Sequence, residues 1–244
     1  MNTFDVVILA AGVGSRLRPI TDAVPKCLVP VNGRSILARL LDQLCDTKLR
    51  DFPGIKIYVV AGYLSHQVQV LAEQYGSAVN VILNETYVTT NNMYSFFLAF
   101  PHLNPHSDLI LVNGDCVYDP RILPMVFSAP GSVIAVDSSV YYEESMKVAV
   151  VGDVVRGISK KLPPAPGIHT SIDLYKFSGD VKSELLSIVH QFVTSGNLTQ
   201  WTEVAINELV YREHVQVKTC DIAGASWVEI DTLEDLAQAS KLFW

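Results

Sequence analysis

Residues 4–10, FDVVILA, form a continuous apolar run rich in β-branched side chains, and Gly12 follows almost at once. Such a run suits a strand buried on both faces, which belongs in a parallel sheet covered by helices on either side. The pattern returns at IKIYVVAG (55–62), AVNVILN (78–84), DLILVNGD (108–115) and GSVIAV (131–136). Between these runs, aliphatics at helical spacing predict helices. SILARLLDQLCDTK (35–48) opens on a serine placed to cap, LSHQVQVLAEQYG (64–76) ends in glycine, and NNMYSFFLAF (91–100) is stopped by Pro101. The alternation predicts an α/β, Rossmann-like fold: a mostly parallel sheet with helices on both faces.

Beyond residue 136 the texture changes. MKVAVVGDVVRGISKK (146–161) reads as two short strands around Gly152-Asp153, and SIDLYKF (171–177) reads as a further strand. Helices are expected over 181–194 and 202–212, a late strand at VQVKTCDI (215–222) and a closing helix at TLEDLAQASKLF (232–243). With no repeat or long linker, 1–244 is expected to be a single domain. A small β-rich insertion, about 137–180, would lie over the active-site edge.

Composition narrows the class of partner. Hydrophobic residues make up 49% of the 244 and charged residues 18%, which predicts a packed globule. The net charge of −7 argues against nucleic acid or an acidic membrane as a partner. No apolar stretch approaches the roughly 18 residues of a membrane span, and no cationic leader precedes the first run. The four cysteines are scattered without a C-x-x-C pair, as expected of reduced thiols in a cytoplasmic protein. A homodimer is left open.

In an open parallel sheet, ligands bind outside the carboxyl ends of the strands. LAAGVGSRLRPITDAVPKCLVPVNG (9–33) follows the first strand there. Gly12 and Gly14 let the backbone approach a ligand, a turn near Ser15 adds amide donors, and Arg16 and Lys26 add two cations. Together they predict a phosphate grip. It is neither a P-loop, since no Gly-Lys-Ser/Thr follows, nor a dinucleotide fingerprint, since the third glycine would fall at Leu17. Asp115 ends an apolar strand and Asp231 follows the apolar stretch SWVEI. Beside a phosphate grip, two such carboxylates predict a Mg²⁺ site, with Glu229 and Asp119 as second-rank ligands. His102 and His106 are spaced like helical ligands, but Pro101 and Pro105 place them in loops.

The string 9–33 resembles the signature of nucleotidyltransferases that join a nucleoside triphosphate to a phosphorylated small molecule. With GYL (62–64), TNNMYSF (90–96), NGD (113–115) and EIDTLEDL (229–236), it is similar to the short bacterial cytidylyltransferases acting on phosphocholine or 2-aminoethylphosphonate. The resemblance implies transfer of CMP from CTP to a small phosphorylated or phosphonate acceptor, with release of pyrophosphate. It further implies that Leu9, Ala10, Ala11 and Gly12 line base and ribose, and that Gly14 and Ser15 lie near the triphosphate. Asn113 and Gly114 join the nucleotide site. Arg16 would hold the β- and γ-phosphates, Lys26 would bridge the α-phosphate and the acceptor, and Asp115 and Asp231 would hold Mg²⁺.

In this family a later lysine often contacts the acceptor phosphate. Lys147, Lys160 and Lys161 are all candidates, because ISKKLP departs from the commoner Glu-Lys-Pro pattern. A cationic head group calls for aromatic or acidic partners, for which Tyr94, Tyr141, Tyr142, Trp201 and Glu203 are candidates. Two alternatives stand beside this reading: a sugar-1-phosphate enzyme using UTP or dTTP, and a non-catalytic nucleotide-sensing subunit.

Overall fold

β1 (Phe4–Ala10) is buried along its whole length between two parallel neighbours, β4 (Ile55–Ala61) and β6 (Asp108–Asn113). β5 (Val79–Leu83) continues the parallel run beyond β4. The computed structural model describes residues 3–46, 52, 54–222 and 224–243.

Side chains alternate across β1, so Phe4, Val6 and Ile8 face one helical layer and Val7 and Leu9 the other. The first layer contains α1 (Ile36–Cys45), α2 (Ser65–Glu73) and α4 (Ile122–Ser128). The second contains α3 (Asn92–Ala99), α5 (Gly179–Thr194) and α6 (Thr202–Val210). The Ser35 hydroxyl accepts a hydrogen bond from the Ala38 amide and starts α1 as the sequence predicts. That helix ends at Cys45, and the last two residues of the predicted span, Thr47 and Lys48, lie outside the described residues.

Past β6 the sheet becomes mixed. β11 (Ile168–Phe177) runs antiparallel between β6 and β8 (Ser132–Asp137), and β12 (Val217–Asp221) pairs parallel with β8. The hairpin of β9 (Lys147–Val151) and β10 (Val154–Ser159) turns at Gly152 and joins the same sheet. The order is β5-β4-β1-β6-β11-β8-β12-β10-β9. Within β11 the register slips between Ser171 and Tyr175, where Asp173 takes φ +57°.

Two short ribbons complete the edge that carries the site: β2 (Pro30–Val31) with β3 (Arg34–Ser35), and β7 (Cys116–Tyr118) with β13 (Trp227–Glu229). The closing helix, α7 (Leu233–Leu242), starts in a reciprocal cap between Thr232 and Asp235. Among the described residues, no helix is long and apolar enough to cross a membrane. All four cysteines are free.

Candidate active site

The glycine turn after β1 folds back on itself. Gly14 sits at φ +68°, and the Thr21 hydroxyl donates to its carbonyl at 2.8 Å. A Cβ on Gly14 would lie 2.8 Å from Cβ of Lys26, so the glycine is what lets the lysine segment pack here. Nothing lies within 4 Å of where a Cβ on Gly12 would stand, which leaves open space over the backbone. Ser15–Leu17 and Lys26–Leu28 each form a single 3-10 turn, with Leu17 and Cys27 buried as anchors.

The β7–β13 ribbon assembles the acidic group. Cys116 pairs with Glu229, and the Ile230 amide donates to the Asp115 carbonyl at 2.9 Å. Asp115, Glu229 and Asp231 therefore meet side by side, with one ligand oxygen of each within 4.8 Å of the others. Lys26 Nζ lies between two of them, 2.6 Å from Asp115 Oδ2 and 2.6 Å from Asp231 Oδ1. Arg16 Nη2 reaches the other oxygen of Asp231 at 2.8 Å. The structure thus brings Arg16, Lys26, Asp115 and Asp231, from three separate stretches of the chain, to one point.

Their electrostatics are mutually dependent. Burial works against charge on Lys26, but the adjoining Asp115 and Asp231 outweigh it and hold the pKa above the ordinary lysine value. Asp231 also loses solvation, and Lys26 with Arg16 nevertheless pulls its pKa below the usual range. At Glu229, Lys26 offsets only part of the penalty. Burial, then the charges of Asp173, Asp115 and Asp231, push its pKa up to about 9. A group of carboxylates that repel one another fits a divalent cation, and an all-oxygen donor set is of the hard type.

Two lobes meet at this cluster. One, of about 250 Å³, is lined by Leu9, Ala10, Gly12, Gly14, Ser15 and Gly114. The other, of about 290 Å³, is lined by Ala11, Asn113, Lys160, Asp173, Trp201 and Glu203, together with Asn84, Tyr87, Asn91, Asn92 and Ser95. Arg16, Lys26, Asp115 and Asp231 border both. Asn84 holds its wall by donating to Thr90 Oγ1 at 3.1 Å and Ser95 Oγ at 3.0 Å. The Thr202 amide donates to Asn92 Oδ1 at 2.8 Å, which joins the first turns of α3 and α6.

Several expected residues are not brought to this cleft, and these expectations are corrected. Lys147 is fully buried, donates to the Glu143 carbonyl at 2.6 Å and lies over the Tyr141 ring. Lys161 is exposed, and of the three lysines only Lys160 lines the cleft. Tyr94 stacks on Phe97, and the Tyr141 hydroxyl donates to the Leu162 carbonyl. Tyr142 packs edge-on against Trp227 in a separate hollow that shares Arg16, Glu229 and Asp231. Asp119 receives Arg121 through both carboxylate oxygens and lines a different hollow, so it is no ligand to the cluster. His102 and His106 are exposed, as expected.

Asp173 is the main residue that sequence reading missed. It is buried, and burial, then Glu203 and Asp115, push its pKa up to about 7. The Tyr175 hydroxyl lies 3.0 Å from Asp173 Oδ1 and 3.1 Å from Glu203 Oε1. Its one available signal was an aspartate inside the apolar run SIDLYKF.

The chain belongs to the MobA-like NTP transferase domain family, whose model matches residues 6–151. It is 26% identical over 236 residues to the bifunctional IPC transferase and DIPP synthase of Aquifex aeolicus, a match over 96% of this chain and 50% of that protein. It is 39% identical over 93 residues to a choline-phosphate cytidylyltransferase of Streptococcus pneumoniae, 38% of either chain. The chain thus spans about half of the first relative's length. Among solved structures, the CTP:phosphocholine cytidylyltransferase from Streptococcus pneumoniae matches with a TM-score of 0.79 at 22% identity, over 99% of this chain and 100% of that one. That likeness shows the fold. The nucleotidyltransferase resemblance read from residues 9–33, and the likeness to cytidylyltransferases read from the later motifs with it, are borne out.

Proposed function

We propose that this chain is a Mg²⁺-dependent cytidylyltransferase. It transfers CMP from CTP to a small phosphorylated or phosphonate acceptor of the phosphocholine or 2-aminoethylphosphonate type, and pyrophosphate leaves. The observation that carries the reading is Lys26, 2.6 Å from both Asp115 and Asp231 with Arg16 on the same cluster, at the mouth of the glycine turn. In this reading residues 1–244 act as one domain, and 137–180 supplies the acceptor side through Lys160 and Asp173.

A phosphate or phosphonate acceptor is already ionised near neutral pH, so its oxygen attacks the α-phosphorus without a general base. The difficulty is bringing two anions together while charge grows on the leaving group. Fixed cations answer both needs. Arg16 would face the β- and γ-phosphates in the lobe of Gly12, Gly14 and Ser15. Lys26 would stand between the α-phosphate and the acceptor, and its raised pKa keeps it charged across the neutral range. Lys160 would approach the acceptor phosphate, and Trp201 and Glu203 would receive its head group. Asp115, Asp231 and Glu229 would hold Mg²⁺, which screens phosphate charge when bound.

The test is pyrophosphate release over a grid of CTP, UTP and dTTP against phosphocholine, 2-aminoethylphosphonate and glucose-1-phosphate, with Mg²⁺ or with chelator. Turnover is expected with CTP and phosphocholine or 2-aminoethylphosphonate, and it should stop on chelation. Turnover confined to glucose-1-phosphate with UTP or dTTP would overturn the reading.

A further inference from the structure

At the acceptor end of the cleft, one buried carboxylate oxygen has no donor, although Lys160 and Asn92 stand near its residue. Glu203 is 3% exposed, and its Oε2 is buried without a hydrogen-bond partner while the residue lines the cleft. Its other oxygen faces the Tyr175 hydroxyl, and so does Asp173 Oδ1. A phenol has one hydrogen and serves one of those two oxygens at a time. A buried acceptor left without a donor is costly, so this end of the cleft calls for a ligand that brings N–H groups.

The aromatic side argues the same way. A quaternary ammonium has no N–H and is held by aromatic faces. Of the aromatic residues lining this lobe, Trp201 and Tyr87, Trp201 already has the Lys160 ammonium 5.2 Å from its ring centroid. A trimethylammonium would bury methyl groups against Glu203 Oε2 and find the Trp201 face shared. A primary ammonium carries three donors and one positive charge, and it matches a carboxyl pair that repels itself.

We infer that the acceptor carries a primary ammonium as its head group, received by Glu203 with Asp173, rather than a trimethylammonium. This rests on the cytidylyltransferase reading above and narrows its acceptor class. Tyr175 then acts as a positioning residue, holding the two carboxyls at a fixed separation. The left-handed backbone of Asp173 is what turns this side chain of β11 toward Glu203.

The experiment compares matched acceptors with CTP and Mg²⁺: 2-aminoethylphosphonate against its N,N,N-trimethyl derivative, phosphoethanolamine against phosphocholine, and 2-hydroxyethylphosphonate as the neutral control. Trimethylation is expected to lower kcat/KM at least about tenfold in each pair, and the hydroxyl compound should fall as far. Glu203→Gln should raise KM for the amine at least about tenfold with a smaller change in kcat, and keep its Tm. If that variant does not fold, Asp173→Asn is expected to give the same KM-dominated effect. Equal or faster turnover of the trimethyl compounds, or an unchanged KM in a folded Glu203→Gln, overturns the inference and leaves cytidylyl transfer standing. Absence of pyrophosphate from every acceptor overturns both.

Discussion

Lys26 is the residue whose removal says most. It is the shared partner of Asp115 and Asp231, so Lys26→Ala takes away a cation: Asp231 keeps its Arg16 contact, and Asp115 keeps the longer one from Cys116 Sγ. By analogy with the loss of one preorganised donor, kcat is expected to fall about 10²–10³-fold while the circular dichroism spectrum stays that of the parent. Wild-type turnover in a folded variant would remove Lys26 from the machinery. At this scale the sequence was legible where function needs an unusual residue in an unusual place. Arg16 and Lys26 stand out because they follow a glycine turn behind a buried strand. The acceptor-side lysines do not stand out from one another. Lys147 and Lys160 differ only in where β9 and β10 leave their side chains, which no local pattern reports. Asp173 was hidden for a related reason. Its backbone leaves the regular pleat, so alternation along the strand misplaces it.

Among the elements, the parallel half of the sheet was readable because burial on both faces writes a continuous apolar run. α4 was not, since Pro124 interrupts ILPMVFS. Proline is tolerated there because it lies in the first turn, where amides have no intrahelical partner. The β7–β13 ribbon was also missed. At three residues a strand, it is too short to show a period, yet it is the element that brings Asp115 to Asp231. The join between β4 and the cleft wall gives a sharp test. A Cβ on Gly62 would lie 2.7 Å from Cβ of Tyr87 and 2.8 Å from the Ala11 carbonyl oxygen. Gly62→Ala is therefore expected to cost roughly 1–3 kcal/mol in denaturant unfolding, as overpacking does. It should also raise KM for CTP by displacing Tyr87. Unchanged stability and KM would mean that the wall yields freely.

The whole molecule carries the clustered acids as a pH dependence. Burial and neighbouring charge raise Asp173 to about 7 and Glu229 to about 9, well above the values they have in an unfolded chain. The folded state therefore binds these protons more tightly. The stability they confer is fully present below the unfolded carboxylate pKa and is lost as pH rises through 7 and towards 9. Metal-free protein is expected to show a Tm that falls by several degrees, about 2–4 °C per kcal/mol, from pH 6 to pH 9. Asp173→Asn should flatten the lower part of that slope, and a level profile in the parent by scanning calorimetry would contradict the charge arrangement. Lys26 and Asp231 are bonded across 205 positions of sequence, with Asp115 between them in the chain and beside them in space. No fragment that stops short of Asp231 contains the centre, however well its sheet forms. On the proposed function, turnover then requires the chain through β13 and Asp231, and loss of that segment is expected to abolish it however well the parallel strands pack.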